Sequence, residues 1–172
     1  MPGSSDSPPR IRQASSRDAL EVLKLRREVL AEGRWFIGTE VARTVEAEIR
    51  ALAASRDAPN QAVLVLRMQG RLVGLVSLTP PPFRRTQHVV KLEIMVEQRS
   101  RGQGLGKALL DAAIRWAEQA PIDKIGLAVF SDNDRAIALY KRAGFQEEGR
   151  RHREYRMEDG SWRGDVLLYR FV

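Results

Sequence analysis

The alternation of apolar and polar residues along the chain predicts strands and helices in a mixed order. Apolar residues occupy every second position from 90 to 96, which predicts a strand with one buried face. From Leu105 onward they recur at helical spacing, which predicts an amphipathic helix. A glycine-rich run over residues 101–106 therefore joins a strand to a helix.

The same reasoning divides the rest of the chain. We expect strands over 11–14, 62–66, 72–78, 124–130 and 165–171, helices over 18–31, 40–54 and between 133 and 144, and a hairpin tip at 158–161. The helix over 40–54 is expected to bury Ala42, Val45, Ile49 and Leu52. Strands that alternate with helices predict the α/β class, as one domain over 10–172 after a flexible tail over 1–9.

The glycine-rich run has the chemistry of an anion site. The first N–H groups of a helix have no partner inside the helix, and the positive end of the helix dipole lies there. Glycines let a ligand approach the backbone closely. A phosphate meets these conditions, and a tight turn that binds nothing is the alternative.

Two common nucleotide motifs do not fit this run. A dinucleotide fingerprint that starts at Gly102 needs glycine at 107, and a P-loop needs glycine at 101 and serine or threonine at 108. The run instead resembles the pyrophosphate loop of the GNAT superfamily of N-acetyltransferases. That loop reads Arg or Gln, two residues, Gly, one residue, then Gly or Ala, and Arg101, Gly104 and Gly106 match it.

A second segment resembles the same family. After the strand over 124–130, the chain reads N-x-x-A-x-x-L-Y-x-x-x-G-F, from Asn133 through Tyr140 to Phe145. The polar residues at its start suit a helix N-cap, and Gly144 suits a helix end. With Glu-Gly-Arg at 148–150, the resemblance covers about residues 10–172.

The resemblance implies a GNAT fold, a mixed central β-sheet of about six to seven strands flanked by about four α-helices. It also implies acetyl-coenzyme A as cosubstrate. In the family, the strand before the loop splays from its neighbour and bonds the pantetheine arm, while the loop holds the pyrophosphate. The coenzyme-binding residues implied here are Ile94, Met95, Val96, Arg101, Gly102, Gln103, Gly104, Leu105, Gly106, Lys107 and Asn133.

The resemblance also implies a catalytic role for Tyr140. Its position matches the family tyrosine near the coenzyme sulfur, where a phenol could act as general acid toward the leaving thiolate. Packing in the core is the alternative for this side chain. Asn133 could likewise contact the coenzyme, cap a helix, or do both.

The general base is not assigned by the sequence. Glu93 could accept the amine proton directly or through water, or it could pair with Lys91 on the same strand face. Relatives that also have Glu-Gly-Arg in place of residues 148–150 often carry an acidic residue in place of Lys91 and a small residue in place of Glu93.

Glu40 and Phe36 are substrate-binding candidates because relatives line the acceptor pocket with this segment. Glu40 is a further base candidate, or a first-turn helix charge.

Composition excludes several kinds of site. The chain has no cysteine and only two histidines, so neither a thiol nucleophile nor a metal centre is predicted. An apolar run of about 18 residues is absent, so we expect no transmembrane helix and no membrane partner. The first ten residues lack the apolar part of a signal peptide, and the cytoplasm is the expected location.

The net charge of +7 raises the question of nucleic acid. Interspersed acidic residues, an aromatic content of 6% and the lack of an RNA-stacking motif disfavour such a partner. Most arginines are expected to be solvated, and some would attract polyanionic coenzyme A. Arg84, Arg85 and Arg153 would also favour an acceptor that carries a carboxylate over a polycation.

The sequence therefore predicts an N-acetyltransferase that moves acetyl from acetyl-coenzyme A to the primary amine of a small molecule, an amino acid or related amine, by direct attack. A peptide or protein N-terminal acetyltransferase is the first alternative. A non-catalytic basic module that binds protein or RNA, or an acyl-coenzyme A sensor, is the second. Tyr140 favours an enzyme, and the resemblance is compatible with a homodimer.

Overall fold

The computed structural model describes residues 9–38 and 43–172. In this part of the chain, seven strands form one sheet and four α-helices pack against it. The elements are β1 (Arg10–Gln13), α1 (Ala19–Leu30), α2 (Val45–Asp57), β2 (Ala62–Met68), β3 (Arg71–Thr79), β4 (Val89–Val96), α3 (Leu105–Ala117), β5 (Lys124–Phe130), α4 (Asp134–Arg142), β6 (Gln146–Arg156) and β7 (Trp162–Phe171).

The predicted class and element order are confirmed, with shifts at the ends of elements. The main shift is in α2, which begins at Val45 because the Thr44 hydroxyl accepts a hydrogen bond from the Ala47 N–H at 3.2 Å and caps the helix. The predicted buried face of this helix is wrong at Ile49, which is 39% exposed. Leu52 is buried as predicted, Glu48 and Ser55 are buried with it, and Ala42 lies outside the described residues.

The sheet has the order β1-β2-β3-β4-β5-β7-β6 and is antiparallel except for the β4–β5 pair. That parallel pair is short, because it joins only residues 89–91 to residues 124–126. Beyond it, β4 stays paired with β3 as far as Val96, and β5 stays paired with β7 as far as Phe130. The two central strands therefore separate from Leu92 onward and leave a gap in the sheet.

The two faces of the sheet are covered differently. A large core on one face joins α3 and α4 to β2, β3, β4, β5 and β7. A smaller core on the other face joins α1 and α2 to β2, β3 and β4, and no residue of β5 or β7 belongs to it in the part of the chain described. Lys91 and Glu93 of β4 lie on this second face, beside the gap.

Candidate functional site

A cleft of about 2050 Å³ follows the gap between β4 and β5. Its walls come from the described residues between α1 and α2, from α2 itself, the ends of β4 and β5, the start of α3, one side of α4 and single residues of β6 and β7. Chain segments that are far apart in sequence therefore meet around the splayed strands, as ligand sites in open sheets do where two neighbouring strands diverge.

The glycine loop forms one end of the cleft. Gly102 and Gly104 have φ angles of +86° and +79°, in the left-handed region that glycine adopts without strain. Gly104 precedes α3, and no other atom lies within 4 Å of the place where a β-carbon on it would be. The first N–H groups of α3 thus follow a turn with free space around it. The anion site predicted for residues 102–107 needs such space next to unpaired N–H groups.

Arg101 is held by protein groups. Its guanidinium donates to both carboxylate oxygens of Glu32, at 2.7 and 2.6 Å, and its Nε donates to the carbonyl of Val96 at 2.9 Å. The side chain therefore ties the loop to the residues that follow α1 and to the end of β4. Its predicted contact with the coenzyme stays a prediction.

Tyr140 and Glu93 both line the cleft at the gap. Tyr140 lies on α4, is 9% exposed and packs against Phe145, so it reaches the gap from the face of the large core. Burial, and secondarily the charge of Glu93, raise the pKa of the Tyr140 phenol well above its usual value. The phenol is therefore a neutral hydrogen-bond donor throughout the physiological range.

Glu93 pairs with a partner that the sequence did not suggest. Its carboxylate accepts from Arg26 of α1 at 3.2 Å, and Lys91, the partner considered from the sequence, forms no ion pair with it. Arg26 also lies 4.0 Å from Glu48 of α2, which in turn accepts from Arg43 at 2.9 Å. Four alternating charges thus run from the start of α2 to the gap.

Glu48 is the unusual member of this charge chain, since it is only 1% exposed. A buried carboxylate is costly unless it is paired, and here two arginines supply the pairing. The signal that could have revealed it is its position four residues before Leu52, on the stripe that should be apolar.

The remaining predicted residues are placed as follows. The Asn133 side-chain oxygen accepts from the Ala136 N–H at 3.2 Å, so the capping role is observed and contact with the coenzyme stays a prediction. Phe36 lines the cleft and packs on the core beneath α1, next to the exposed Ile37. Glu40 lies outside the described residues.

The opposite wall carries a polar cluster that sequence reasoning missed. Asp165 of β7 is buried, accepts from the Tyr155 hydroxyl at 2.9 Å and pairs with Arg151. Burial and hydrogen bonding to Asp165 raise the pKa of Tyr155 to about 12. No sequence pattern predicts the cluster. An irregularity in the pairing of β6 with β7, between Arg151 and Tyr155, determines which side chains contact Asp165.

The charge argument made from the sequence is only partly relevant to the cleft. Arg84, Arg85 and Arg153 do not line it, whereas Arg26, Arg43 and Arg101 do.

Within residues 9–38 and 43–172, we find no cluster of three or more His, Cys, Asp or Glu side chains suited to a metal. The helices there are all too short or too polar to cross a bilayer.

Comparison with known proteins decides the family. A model described as acetyltransferase (GNAT) family matches residues 29–145, more than half of the chain. The chain belongs to this family. GNAT proteins are acetyl-coenzyme A-dependent acyltransferases. The match includes the glycine loop and the segment over 133–145, so the resemblance of both to this family is confirmed.

Individual relatives support the same placement. The chain is 32% identical over 107 residues to the L-amino acid N-acetyltransferase AaaT of Escherichia coli, which covers 62% of this chain and 65% of that protein. It is 33% identical over 103 residues to the N-alpha-acetyltransferase RimI of Mycobacterium tuberculosis, covering 58% and 61%. The aligned segments thus span less than two thirds of either relative.

The fold agrees over nearly the whole chain. A GNAT-family acetyltransferase structure from Streptococcus pneumoniae superimposes with a TM-score of 0.90 at 28% identity, over 96% of this chain and all of that one. Two structural neighbours of under 20% identity, which establish the fold alone, are described with acetyl-coenzyme A bound. The predicted GNAT fold is therefore confirmed.

Proposed function

We propose that this chain transfers the acetyl group of acetyl-coenzyme A to the primary amine of a small molecule, an amino acid or related amine, by direct attack. One observation carries the proposal. A buried phenol and a carboxylate, Tyr140 and Glu93, line the cleft along the gap between β4 and β5, one from each face of the sheet. A thioester seated in the gap would have a proton donor on one side and a proton acceptor on the other.

The coenzyme would extend from the glycine loop into the gap. The backbone N–H groups of residues 102–107 and the positive end of α3 suit the pyrophosphate. From Leu92 onward, β4 has lost β5 as a partner, so its free edge suits the amide groups of the pantetheine arm. Ile94, Met95 and Val96 are the residues of this edge nearest the loop.

Glu93 is proposed to accept the proton of the attacking amine, directly or through water. An alkylammonium has a pKa of about 10 and must lose a proton before its nitrogen can attack. Arg26 donates a hydrogen bond to the Glu93 carboxylate and also lies 4.0 Å from Glu48, which Arg43 contacts from its other side. The charge chain therefore fixes where the proton acceptor stands.

Tyr140 is proposed to act on the leaving sulfur. As the new C–N bond forms and the C–S bond breaks, the sulfur keeps the bonding electron pair and needs a proton. The raised pKa of Tyr140 lies above the value of about 8.5 for a free thiol, so the phenol first donates a hydrogen bond. Complete transfer then leaves a tyrosinate, which the proton released by the amine restores.

The acceptor side of the cleft suggests what the amine carries. Phe36 and Ile37 give the wall between α1 and α2 an apolar surface, and Ile37 is 64% exposed. An acceptor with an apolar side chain would bury that surface. Glu40 stays a substrate-binding prediction for the same segment.

The test is coenzyme A release with a panel of amino acids, polyamines, aminoglycosides and peptides. We expect the highest kcat/KM with a free amino acid. A clear preference for spermidine or for a lysine-rich peptide at physiological salt would contradict the small-molecule proposal while leaving the transferase reaction intact.

A peptide N-terminal acetyltransferase is the second candidate. The relative named N-alpha-acetyltransferase favours it, as does the face of β5 and β7 that α1 and α2 leave uncovered, where a chain could extend from the gap. Peptides that are acetylated faster than every free amino acid would select this candidate.

A further inference from the structure

Lys91 occupies a position at which its amino group projects over the start of the gap. Lys91 lies opposite Gly126 in the last residue pair that joins β4 to β5. A β-carbon added to Gly126 would lie 3.3 Å from the Lys91 Nζ and 3.8 Å from its Cδ. The lysine side chain therefore lies across the space that a larger residue at 126 would fill, and its ammonium stands above β5.

The ammonium of Lys91 has no carboxylate within 4.0 Å in the part of the chain that the structure describes, although it lines the cleft. The neighbouring cleft cations are neutralised, since Arg26 and Arg43 contact Glu48, and Arg101 contacts Glu32. Lys91 thus contributes a positive charge to the cleft that these protein carboxylates leave uncompensated.

Glu93 stands two residues further along the same strand and on the same face. Side chains at such positions start about 6.6 Å apart. The ammonium and carboxylate of a free α-amino acid are attached to one carbon, so a single zwitterion can reach both side chains with opposite charges facing each other. Peptide N-termini, amides and polyamines lack the carboxylate that would reach Lys91.

We propose that Lys91 is a specificity-determining residue that binds the carboxylate of a free α-amino acid while Glu93 faces the amine of the same molecule. This inference rests on the proposed function and narrows its acceptor to amines with an adjacent carboxylate. The charge-assisted hydrogen bond from Lys91 is the same before and during the reaction. It therefore lowers KM and leaves kcat nearly unchanged.

The test compares one amino acid with its primary amide. The probe is whichever of the twenty common amino acids the wild-type protein acetylates fastest, because the amide differs from it only in the missing carboxylate charge. For Lys91→Met, we expect KM for the amino acid to rise about 10- to 100-fold with kcat within about twofold. KM for the amide should stay within about twofold, and Lys91→Arg should restore most of the affinity for the acid.

The matched control is Lys24→Met, which removes a lysine from the exposed surface of α1 outside the cleft and should change neither KM. Circular dichroism melting establishes that each variant is folded. An equal rise of KM for acid and amide, or no rise for either, overturns the inference.

Failure of the inference is distinguishable from failure of the proposed function. If amines without a carboxylate are acetylated and none of the amino acids is, the inference is overturned and the transferase function stands. If calorimetry shows no binding of acetyl-coenzyme A and no amine in the panel releases coenzyme A, the proposed function itself falls.

Discussion

The two sides of the cleft are built from different parts of the polypeptide. The glycine wall, residues 101–107 with the start of α3, is made of backbone from one continuous segment. The charged wall, formed by Arg26, Arg43, Glu48 and Glu93, is made of side chains from α1, the residues that lead into α2, α2 itself and β4. A coenzyme that all members of a family share can be bound by the backbone, which does not depend on the side chains present. An acceptor that differs between members is suited to a site made of side chains, because substitutions can alter it.

This contrast makes different demands on the fold. Backbone N–H groups at a helix start need only the correct turn, which Gly102 and Gly104 supply. The charged wall needs α1, α2 and β4 to dock before its charges can pair. Substitutions should therefore act locally on the glycine wall and through the docking of helices on the charged wall.

The largest expected effect is on the glycine wall. Gly104→Val places a branched side chain at a φ of +79°, where the pyrophosphate would approach the backbone. We expect the affinity for acetyl-coenzyme A, measured by calorimetry, to fall at least about 100-fold, and the free energy of unfolding to fall by about 1–3 kcal/mol.

The matched control is Gly70→Val in the turn between β2 and β3. Gly70 has a φ of +77° and equally open surroundings, so it incurs the same strain away from the cleft. It should lower stability by a similar amount and leave coenzyme affinity unchanged. Unchanged affinity in folded Gly104→Val would remove the pyrophosphate site from residues 102–107.

The next effect concerns the point at which the two walls meet. Tyr140→Phe removes one hydroxyl from a buried ring and should lower single-turnover acetyl transfer about 100-fold or more, with coenzyme affinity unchanged. Tyr169→Phe is the control, because it breaks only the hydrogen bond to Gln146 at 3.0 Å outside the cleft. A wild-type rate in Tyr140→Phe would return this residue to a packing role.

How much of each wall could be predicted follows from the same contrast. The strand-loop-helix unit around Gly104 and the helix over 134–142 were predicted because their signals are contiguous and repeat with a regular period. The burial of Glu48 was not predicted, because its neighbour Ile49 is the more apolar residue and was expected to face the core. Only the positions of Arg26 and Arg43 make the buried carboxylate tolerable, and a single sequence does not show them.

A smaller effect is expected for the buried carboxylate of the charged wall. Glu48→Gln leaves Arg26 and Arg43 without their shared anion, so we expect the free energy of unfolding to fall by about 2 kcal/mol in urea titrations. KM for the amine should rise because Arg26 no longer holds Glu93 in place, while coenzyme affinity stays the same. Glu28→Gln, on the exposed side of α1, should change none of these quantities. A loss of coenzyme affinity in Glu48→Gln would contradict the separation of the two walls.

The smallest effect concerns Asp18, which anchors the start of α1 and thus the support of the charged wall. Hydrogen bonds from Arg12, at 2.8 and 2.7 Å, hold the pKa of this buried carboxyl well below its usual value. A pKa that is lower in the folded protein stabilises it at every pH above the unfolded value of about 3.9. This contribution is lost as the pH falls from there toward the folded pKa. Asp18→Asn should therefore lower the free energy of unfolding at pH 7, and its difference from wild type should shrink between about pH 4 and pH 3. A difference that stays constant over this range would mean that the ionisation of Asp18 does not stabilise the fold.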